Sequence, residues 1–139
     1  MVWIILLFIV GLLLFRFFTA FTKDEDDLQH QTLSEKFAVI VHMINEAAFN
    51  GRGEITVLDK REFNLYEDGE NQIIKFQYST GHLTITWKYK CLQKEVVHQR
   101  QYNNVRNLSL IEQQRIGVNI IKEMGVVIAK HKIDVYGKL

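Results

Sequence analysis

The chain opens on an apolar run, residues 1–15, which continues past Arg16 to Phe21. A helix of residues 1–21 would be about 31 Å long, close to the hydrocarbon thickness of a bilayer. Arg16 lies near one end, where its charge can reach the headgroups. Trp3 lies near the other end, at a position typical of the aromatic belt. The pattern predicts a single-pass transmembrane helix with Trp3 and Arg16 as its interfacial residues.

A cleaved signal peptide and a buried core helix are the alternatives for this segment. No Lys or Arg precedes Arg16, and Ala20-Phe21-Thr22 is a poor cleavage site. We therefore predict an uncleaved signal anchor over residues 1–21. The nearest positive charges, Arg16 and Lys23, follow the apolar run, so the positive-inside rule predicts a cytoplasmic domain; a periplasmic or extracellular domain is the alternative.

After an acidic polar linker, residues 22–31, apolar residues recur at helical spacing. Thr32 and Glu35 have the spacing of a capping box at the start of this helix, and Asn50 and Gly51 are typical of its end. The expected core positions are Leu33, Phe37, Ile40, Val41, Ile44 and Ala48, and the stripe is widened by Ala38, Val39 and Met43. This extra width would permit homo-oligomerisation.

The next part of the chain alternates apolar and polar residues between turns at Gly69 and Gly81. Such a pattern predicts four or five short strands in an antiparallel meander. We expect one face to carry Ile74, Phe76, Tyr78, Leu83, Ile85, Trp87, Tyr89 and Cys91. The opposite, solvated face should carry Lys75, Thr84, Thr86, Lys88 and Lys90.

A final helix is predicted from the capping-box pair Ser109 and Glu112. Its expected buried stripe consists of Leu110, Ile116, Ile120, Ile121, Met124, Val127 and Ile128. Gly117 and Gly125 are unfavourable inside a helix, so we expect them to allow close packing on the sheet. Residues 32–139 should form a single α+β domain, a two-layer sandwich with both helices on one face of the sheet.

Composition and charge limit the kinds of partner that this chain is expected to bind. The chain has 139 residues, a formal net charge of +1 and one cysteine, so it has no internal disulfide. Basic residues outnumber acidic ones from Thr86 to Lys132, which favours an anionic partner. These basic residues are not interleaved with aromatic ones, so nucleic acid is a disfavoured partner.

Residues able to carry catalysis or bind metal are sparse. His42 and Glu46 are four residues apart on the first predicted helix, but two ligands do not make a metal site. Cys91 shares its strand face with Trp87 and Tyr89 and has no evident base, so we expect an inert thiol. No glycine-rich phosphate loop is present, and we predict no cofactor, no metal and no catalytic residues.

Two hypotheses for function follow. The first is a membrane-anchored, non-catalytic interaction or adaptor module, tethered to the lipid bilayer through residues 1–21. Its partner surface would be the solvated sheet face around Lys75, Thr84, Thr86, Lys88 and Lys90, or else an edge strand. The alternative is a binding domain for a small or lipid-like ligand, in a pocket between helices and sheet. That pocket would be lined by Phe37, Trp87, Tyr89 and Met124.

Overall fold

The computed structural model describes residues 1–138, except for the side chains of residues 24–27 and 30. It has an α+β fold, with an apolar helix at the N-terminus, a five-stranded antiparallel sheet and a helix at the C-terminus. The elements in order are α1 (Val2–His30), α2 (Leu33–Lys36), α3 (Ala38–Phe49), β1 (Glu54–Asp59), β2 (Glu62–Tyr66), β3 (Gln72–Ser79), β4 (His82–Cys91), β5 (Lys94–Tyr102) and α4 (Leu110–Gly137).

Helix α1 contains one stretch, Val2–Lys23, that is long and apolar enough to cross a membrane. Its mean hydropathy is 2.6, and none of its most apolar part is buried inside the protein. The helix does not end at Phe21, where the sequence analysis ended the anchor, but continues without a break to His30. The segment interpreted as a linker therefore belongs to the same helix as the apolar stretch.

The single helix predicted after residue 31 is two helices, α2 and α3, separated at Phe37. The predicted capping box is confirmed, because the Glu35 N–H donates to Thr32 Oγ1 at 3.3 Å and the Thr32 N–H donates to Glu35 Oε2 at 3.1 Å. Phe37 has non-helical φ and ψ of −109° and 32°. Its fully buried ring packs on Tyr78, with ring centres 5.6 Å apart. The helix breaks where this ring enters the core.

The sheet confirms the predicted meander, since its strand order β1-β2-β3-β4-β5 follows the chain and every neighbouring pair is antiparallel. The alternation in β3 and β4 is also confirmed. The predicted core residues of these strands are all buried: Ile74, Phe76, Tyr78, Leu83, Ile85, Trp87, Tyr89 and Cys91.

Helix α4 begins as predicted, with the Glu112 N–H donating to Ser109 Oγ and the Ser109 N–H donating to Glu112 Oε2, both at 3.2 Å. Leu110 was predicted to be buried, but it is 68% exposed. It lies in the first turn, where Gln113 faces the core instead and donates its Nε2–H to the Lys36 carbonyl at 3.1 Å. The rest of the predicted stripe is buried or partly buried: Ile116, Ile120, Ile121, Met124, Val127 and Ile128.

The two glycines of α4 differ from expectation. A Cβ atom at Gly117 would lie 2.6 Å from Met43 Sδ, so this glycine allows α4 to approach α3 rather than the sheet. A Cβ atom at Gly125 would have no neighbour within 4 Å. Close packing at Gly125 was therefore a wrong prediction, and its side of the helix is exposed.

Candidate functional site

The residues predicted to form a partner surface lie on two adjacent central strands. Lys75 on β3 pairs with Thr86 on β4. Thr84, Thr86, Lys88 and Lys90 occupy the β4 positions between the buried ones. We use the term open face for the surface of β3 and β4 that carries these five residues. Lys88 and Lys90 are exposed, whereas Lys75, Thr84 and Thr86 are partly exposed.

Lys75 differs from the other two lysines of the open face because its charge is balanced within the sheet. Its Nζ atom lies 2.6 Å from Glu62 Oε1 on β2. The Gln77 side chain donates to the same oxygen at 3.4 Å. These contacts make Lys75 part of a cross-strand network, which leaves Lys88 and Lys90 as the exposed ammonium groups of this surface.

Lys88 and Lys90 line a shallow cleft of about 330 Å³ on the open face, which we name the distal cleft. Its lining residues are Tyr66, Glu70, Asn71, Gln72, Ile73, Lys88, Lys90 and Glu95. Ile73 pairs with Tyr66 on one side and Lys88 on the other, so apolar and aromatic groups adjoin the ammonium groups. Glu70 and Glu95 add carboxylates at the same cleft. The cleft therefore suits a partner that carries positively and negatively charged side chains around an apolar residue.

Tyr66 and Ile73 belong to this surface but were not predicted to. The alternation in β2 indicates on which side of the sheet Tyr66 lies. Phe63 and Leu65 are buried, and Tyr66 follows Leu65 on the opposite side. The position of Tyr66 in one row with Ile73 and Lys88 depends on how the strands are aligned. That alignment is a property of the paired strands and not of either strand alone.

A second polar cluster joins the last strand to helix α4. Glu123 of α4 receives two basic partners from β5, with His98 Nε2 at 2.9 Å from its Oε2 atom and Arg100 Nη1 at 2.5 Å from its Oε1 atom. Nearby, burial and the Glu123 charge raise the pKa of the Tyr102 hydroxyl above its usual value. The cluster connects β5 to α4, and its charges are largely satisfied by each other.

The candidates for catalysis and metal binding are not brought together. His42 and Glu46 are both exposed on α3. Among the residues that the structure describes, no group of three or more His, Cys, Asp or Glu side chains is arranged to hold a metal ion. Cys91 is a free thiol and is buried. The four residues expected to line a ligand pocket belong to one packed core, with exposures of 0% for Phe37, 3% for Trp87, 7% for Tyr89 and 1% for Met124.

Helix α1 presents the predicted interfacial residues to its surroundings, with Trp3 78% exposed and Arg16 also exposed. Two arginines of the folded domain contact this helix. Arg106 donates an Nη2–H to the Ala20 carbonyl at 3.2 Å. Arg61 donates to the Phe21 carbonyl at 3.2 Å, and its guanidinium group lies 4.2 Å from the centre of the Phe21 ring.

Among the described residues, the candidate surfaces that the sequence pointed to are the apolar stretch of α1 and the open face with its distal cleft. The first is a continuous apolar surface, and the second combines exposed ammonium groups with Tyr66 and Ile73. Comparison with family models, with curated proteins and with solved structures finds no match for this chain, so both surfaces are argued from their own chemistry.

Proposed function

We propose that this chain is a membrane-anchored, non-catalytic interaction module whose partner binds the open face at the distal cleft. In this proposal, α3 and α4 cover one face of the sheet in a two-layer sandwich, and the other face is left for the partner. Helix α1 holds the module in the bilayer as an uncleaved signal anchor, with the domain on the cytoplasmic side.

The observation that carries the proposal is the division of β4 into a buried and an exposed side. Contacts between the helices and the sheet involve residues of the buried side or its continuation. Phe37 packs on Tyr78, Gln72 donates its Nε2–H to the Ala48 carbonyl at 2.9 Å, and Glu123 binds Arg100. This arrangement supports a free open face, because the helices engage the opposite side of the strands.

The apolar stretch of α1 supports the anchor. A run of this length with its side chains exposed to water would be strongly unfavourable, since each buried large apolar side chain is worth about 1.5–3 kcal/mol. A bilayer removes that cost. Confinement to a membrane also raises the local concentration of the domain near other membrane-associated partners.

The ligand-binding alternative is less well supported. It requires a cavity between helices and sheet lined by Phe37, Trp87, Tyr89 and Met124. These four side chains are buried in a common core, and close-packed cores seldom leave voids larger than a water molecule. The burial of these residues favours the interaction module.

Reversing the charge of both exposed lysines tests the partner surface. We expect Lys88→Glu with Lys90→Glu to abolish a crosslink formed in cells from a photoreactive residue at Thr86, because the partner would meet two like charges at the cleft. Both lysines are exposed, so the domain should remain folded. The matched control reverses Lys122 and Lys130 on the exposed side of α4. An unchanged crosslink in the Lys88 and Lys90 variant would remove the open face from consideration.

Thiol accessibility tests the anchor and its orientation. Single cysteines are introduced as Asp26→Cys or Lys138→Cys in a Cys91→Ser background. For an anchored cytoplasmic domain, we expect both thiols to resist an impermeant reagent until the cells are lysed, with the chain in the membrane fraction. Labelling in intact cells would place the domain on the other side of the membrane.

A further inference from the structure

Helices α3 and α4 pack against each other and run in the same direction. Near their starts, the Gln113 side chain of α4 donates to the carbonyl of Lys36, two residues before α3, at 3.1 Å. Further along, a Cβ atom at Gly117 of α4 would lie 2.6 Å from Met43 Sδ of α3. Because the residue numbers rise together at these two contacts, both helices begin at the same end of the domain.

An apolar groove of about 670 Å³ lies between the two helices, and we call it the α3–α4 groove. Its lining residues are Ala38, Val39, His42, Met43, Gln114 and Val118. Ala38, Val39 and Met43 widen the apolar stripe of α3, and none of them belongs to the buried core of the domain. Val118 is 44% exposed. The extra apolar width of α3 is therefore left for a contact outside the domain core.

The two helices bring opposite charges to the α3–α4 groove. Glu46 is the only Asp, Glu, Lys or Arg of α3, whereas Arg115 and Lys122 of α4 adjoin Val118 at the edge of the groove. Glu46 and Lys122 each follow the groove-lining residues of their helix by about one turn, so they lie at similar heights. Neither forms an ion pair with another described side chain.

The other carboxylates near this helix pair already have partners. Glu35 and Glu112 each accept a backbone N–H in the capping boxes that begin α2 and α4. Glu123 binds His98 and Arg100 of β5. Among the described side chains of α3 and α4, Glu46 is therefore the carboxylate left for a cation from outside the chain.

We propose that the α3–α4 groove seats a second copy of this chain, in a dimer whose two-fold axis runs along the groove. Under this symmetry, α3 of each copy lies against α4 of the other, and every contact occurs twice. Glu46 of each copy then meets Lys122 of the other at the same height. The acidic helix of one copy thus faces the basic helix of the other, a complementarity that selects a second copy as the occupant.

Closing the groove would also remove apolar side chains from water. Val118 of one copy would pack against Ala38 and His42 of the other, and Val39 and Met43 would lie near the axis. The removal of apolar surface from water is the main favourable contribution to most protein association. Homodimer interfaces are also more apolar than the rest of a protein surface, as is the floor of this groove.

The direction of the two helices suits a chain held in a bilayer. Helix α3 follows α1 through α2, and Arg106, which binds the Ala20 carbonyl of α1, lies four residues before α4. Helix α1 therefore joins the domain at the end where α3 and α4 begin. A two-fold axis along these helices keeps that end at the same height in both copies, so both anchors can enter one bilayer. Only this step rests on the proposed anchoring of α1.

Cysteine crosslinking of the full-length chain in lipid vesicles tests which helices meet. One chain carries His42→Cys and another carries Val118→Cys, each in the Cys91→Ser background. A short thiol-reactive crosslinker is added to each chain alone and to their mixture. We expect far more dimer in the mixture, because residue 42 faces residue 118 of the other copy and not its own equivalent. The matched control replaces Val118→Cys by Lys130→Cys, exposed on α4 but outside the groove. Equal yields in all samples would overturn the proposal.

Charge reversal tests the ion pairs between the copies. Glu46→Lys or Lys122→Glu alone would place like charges together twice in the dimer, so each should lower the dimerisation constant about a hundredfold or more. The constant is measured as FRET between donor- and acceptor-labelled chains across a series of protein-to-lipid ratios. The labels are attached through Asp68→Cys in the Cys91→Ser background. Mixing the two variants should restore dimerisation, because each reversed residue then meets an opposite charge on the other copy.

The outcomes of these measurements are distinct from those for the proposed partner surface. A chain that stays monomeric at every ratio would overturn the dimer and leave the groove to a helix of another protein. Dimers that neither charge reversal weakens would be held together elsewhere, such as through α1, and would also overturn it. In the proposed sandwich the open face lies on the other side of the sheet. Lys122→Glu should therefore leave the crosslink from residue 86 unchanged.

Discussion

Trp87→Ala is expected to destabilise the domain by about 3–5 kcal/mol, the usual cost of removing a buried tryptophan. Trp87 is 3% exposed in the centre of β4. Its indole Nε1–H donates to Gln72 Oε1 at 2.9 Å, and Gln72 in turn donates to the Ala48 carbonyl of α3. The substitution therefore leaves a cavity and also interrupts a link between the sheet and the helix. Pulse proteolysis across a urea series, on the full-length chain in nanodiscs, measures the loss.

Two further variants test whether the loss of stability comes from the buried Trp87 side chain. Lys88→Ala changes the next residue of the same strand, which is exposed, and should cost less than about 0.5 kcal/mol. Trp87→Phe keeps most of the apolar volume and removes the N–H donor, so it should show an intermediate loss. A loss below about 1 kcal/mol for Trp87→Ala would mean that the two faces of β4 have been assigned in reverse.

Gly53→Ala is expected to cost about 2 kcal/mol, within the usual range for overpacking. A Cβ atom at residue 53 would lie 2.6 Å from Asn45 Oδ1 and 2.7 Å from Phe49 Cδ2. Phe49 is 1% exposed, so its ring has no room to move. The Asn45 side chain also accepts the Gly53 N–H at 2.8 Å, and moving it would lose that bond. The same urea series gives the size of the effect.

The matched substitution, Gly125→Ala, should stabilise the domain instead of destabilising it. A Cβ atom there would have no neighbour within 4 Å, and the residue lies inside α4. Alanine is favoured over glycine at such a position by about 1 kcal/mol. Destabilisation by Gly125→Ala, or a neutral result for Gly53→Ala, would contradict the packing described around these two residues.

Local patterns predicted the strands and the helix starts well. Alternation fixed the faces of β3 and β4 because a residue in a strand can point in only two directions. Thr32 with Glu35, and Ser109 with Glu112, identified both capped helix starts because the capping interaction involves residues three apart. These features depend on neighbours in the chain, so the sequence contains the information directly.

Features that depend on distant residues were not predicted. The break at Phe37 reflects the packing of its ring on Tyr78, and the helical spacing of its neighbours gave no sign of it. Leu110 and Gln113 both lie in the first turn of α4, and the side chain that reaches the core is Gln113, which donates to the distant Lys36 carbonyl.

The candidate site also has one part that local sequence patterns predicted and another that they did not. The five residues of the open face share a side of the sheet by alternation alone, which the sequence predicted. The distal cleft requires Tyr66 on β2 to meet Ile73 on β3, and this contact depends on the alignment of two strands. The contact of Arg61 with Phe21 joins residues forty positions apart, and no local pattern anticipates it.

Because α1 is one continuous helix from Val2 to His30, it can fix the rotation of the domain about the helix axis. Arg61 and Arg106 hold the helix at Phe21 and Ala20, and Leu28 packs against the domain core further along the same helix. Each residue of an α-helix advances the direction of the side chain by about 100°. One residue inserted between Phe21 and Leu28 would turn Leu28 away by that angle, so both attachments could not be kept. The helix therefore fixes the rotational orientation of the domain about the axis of α1.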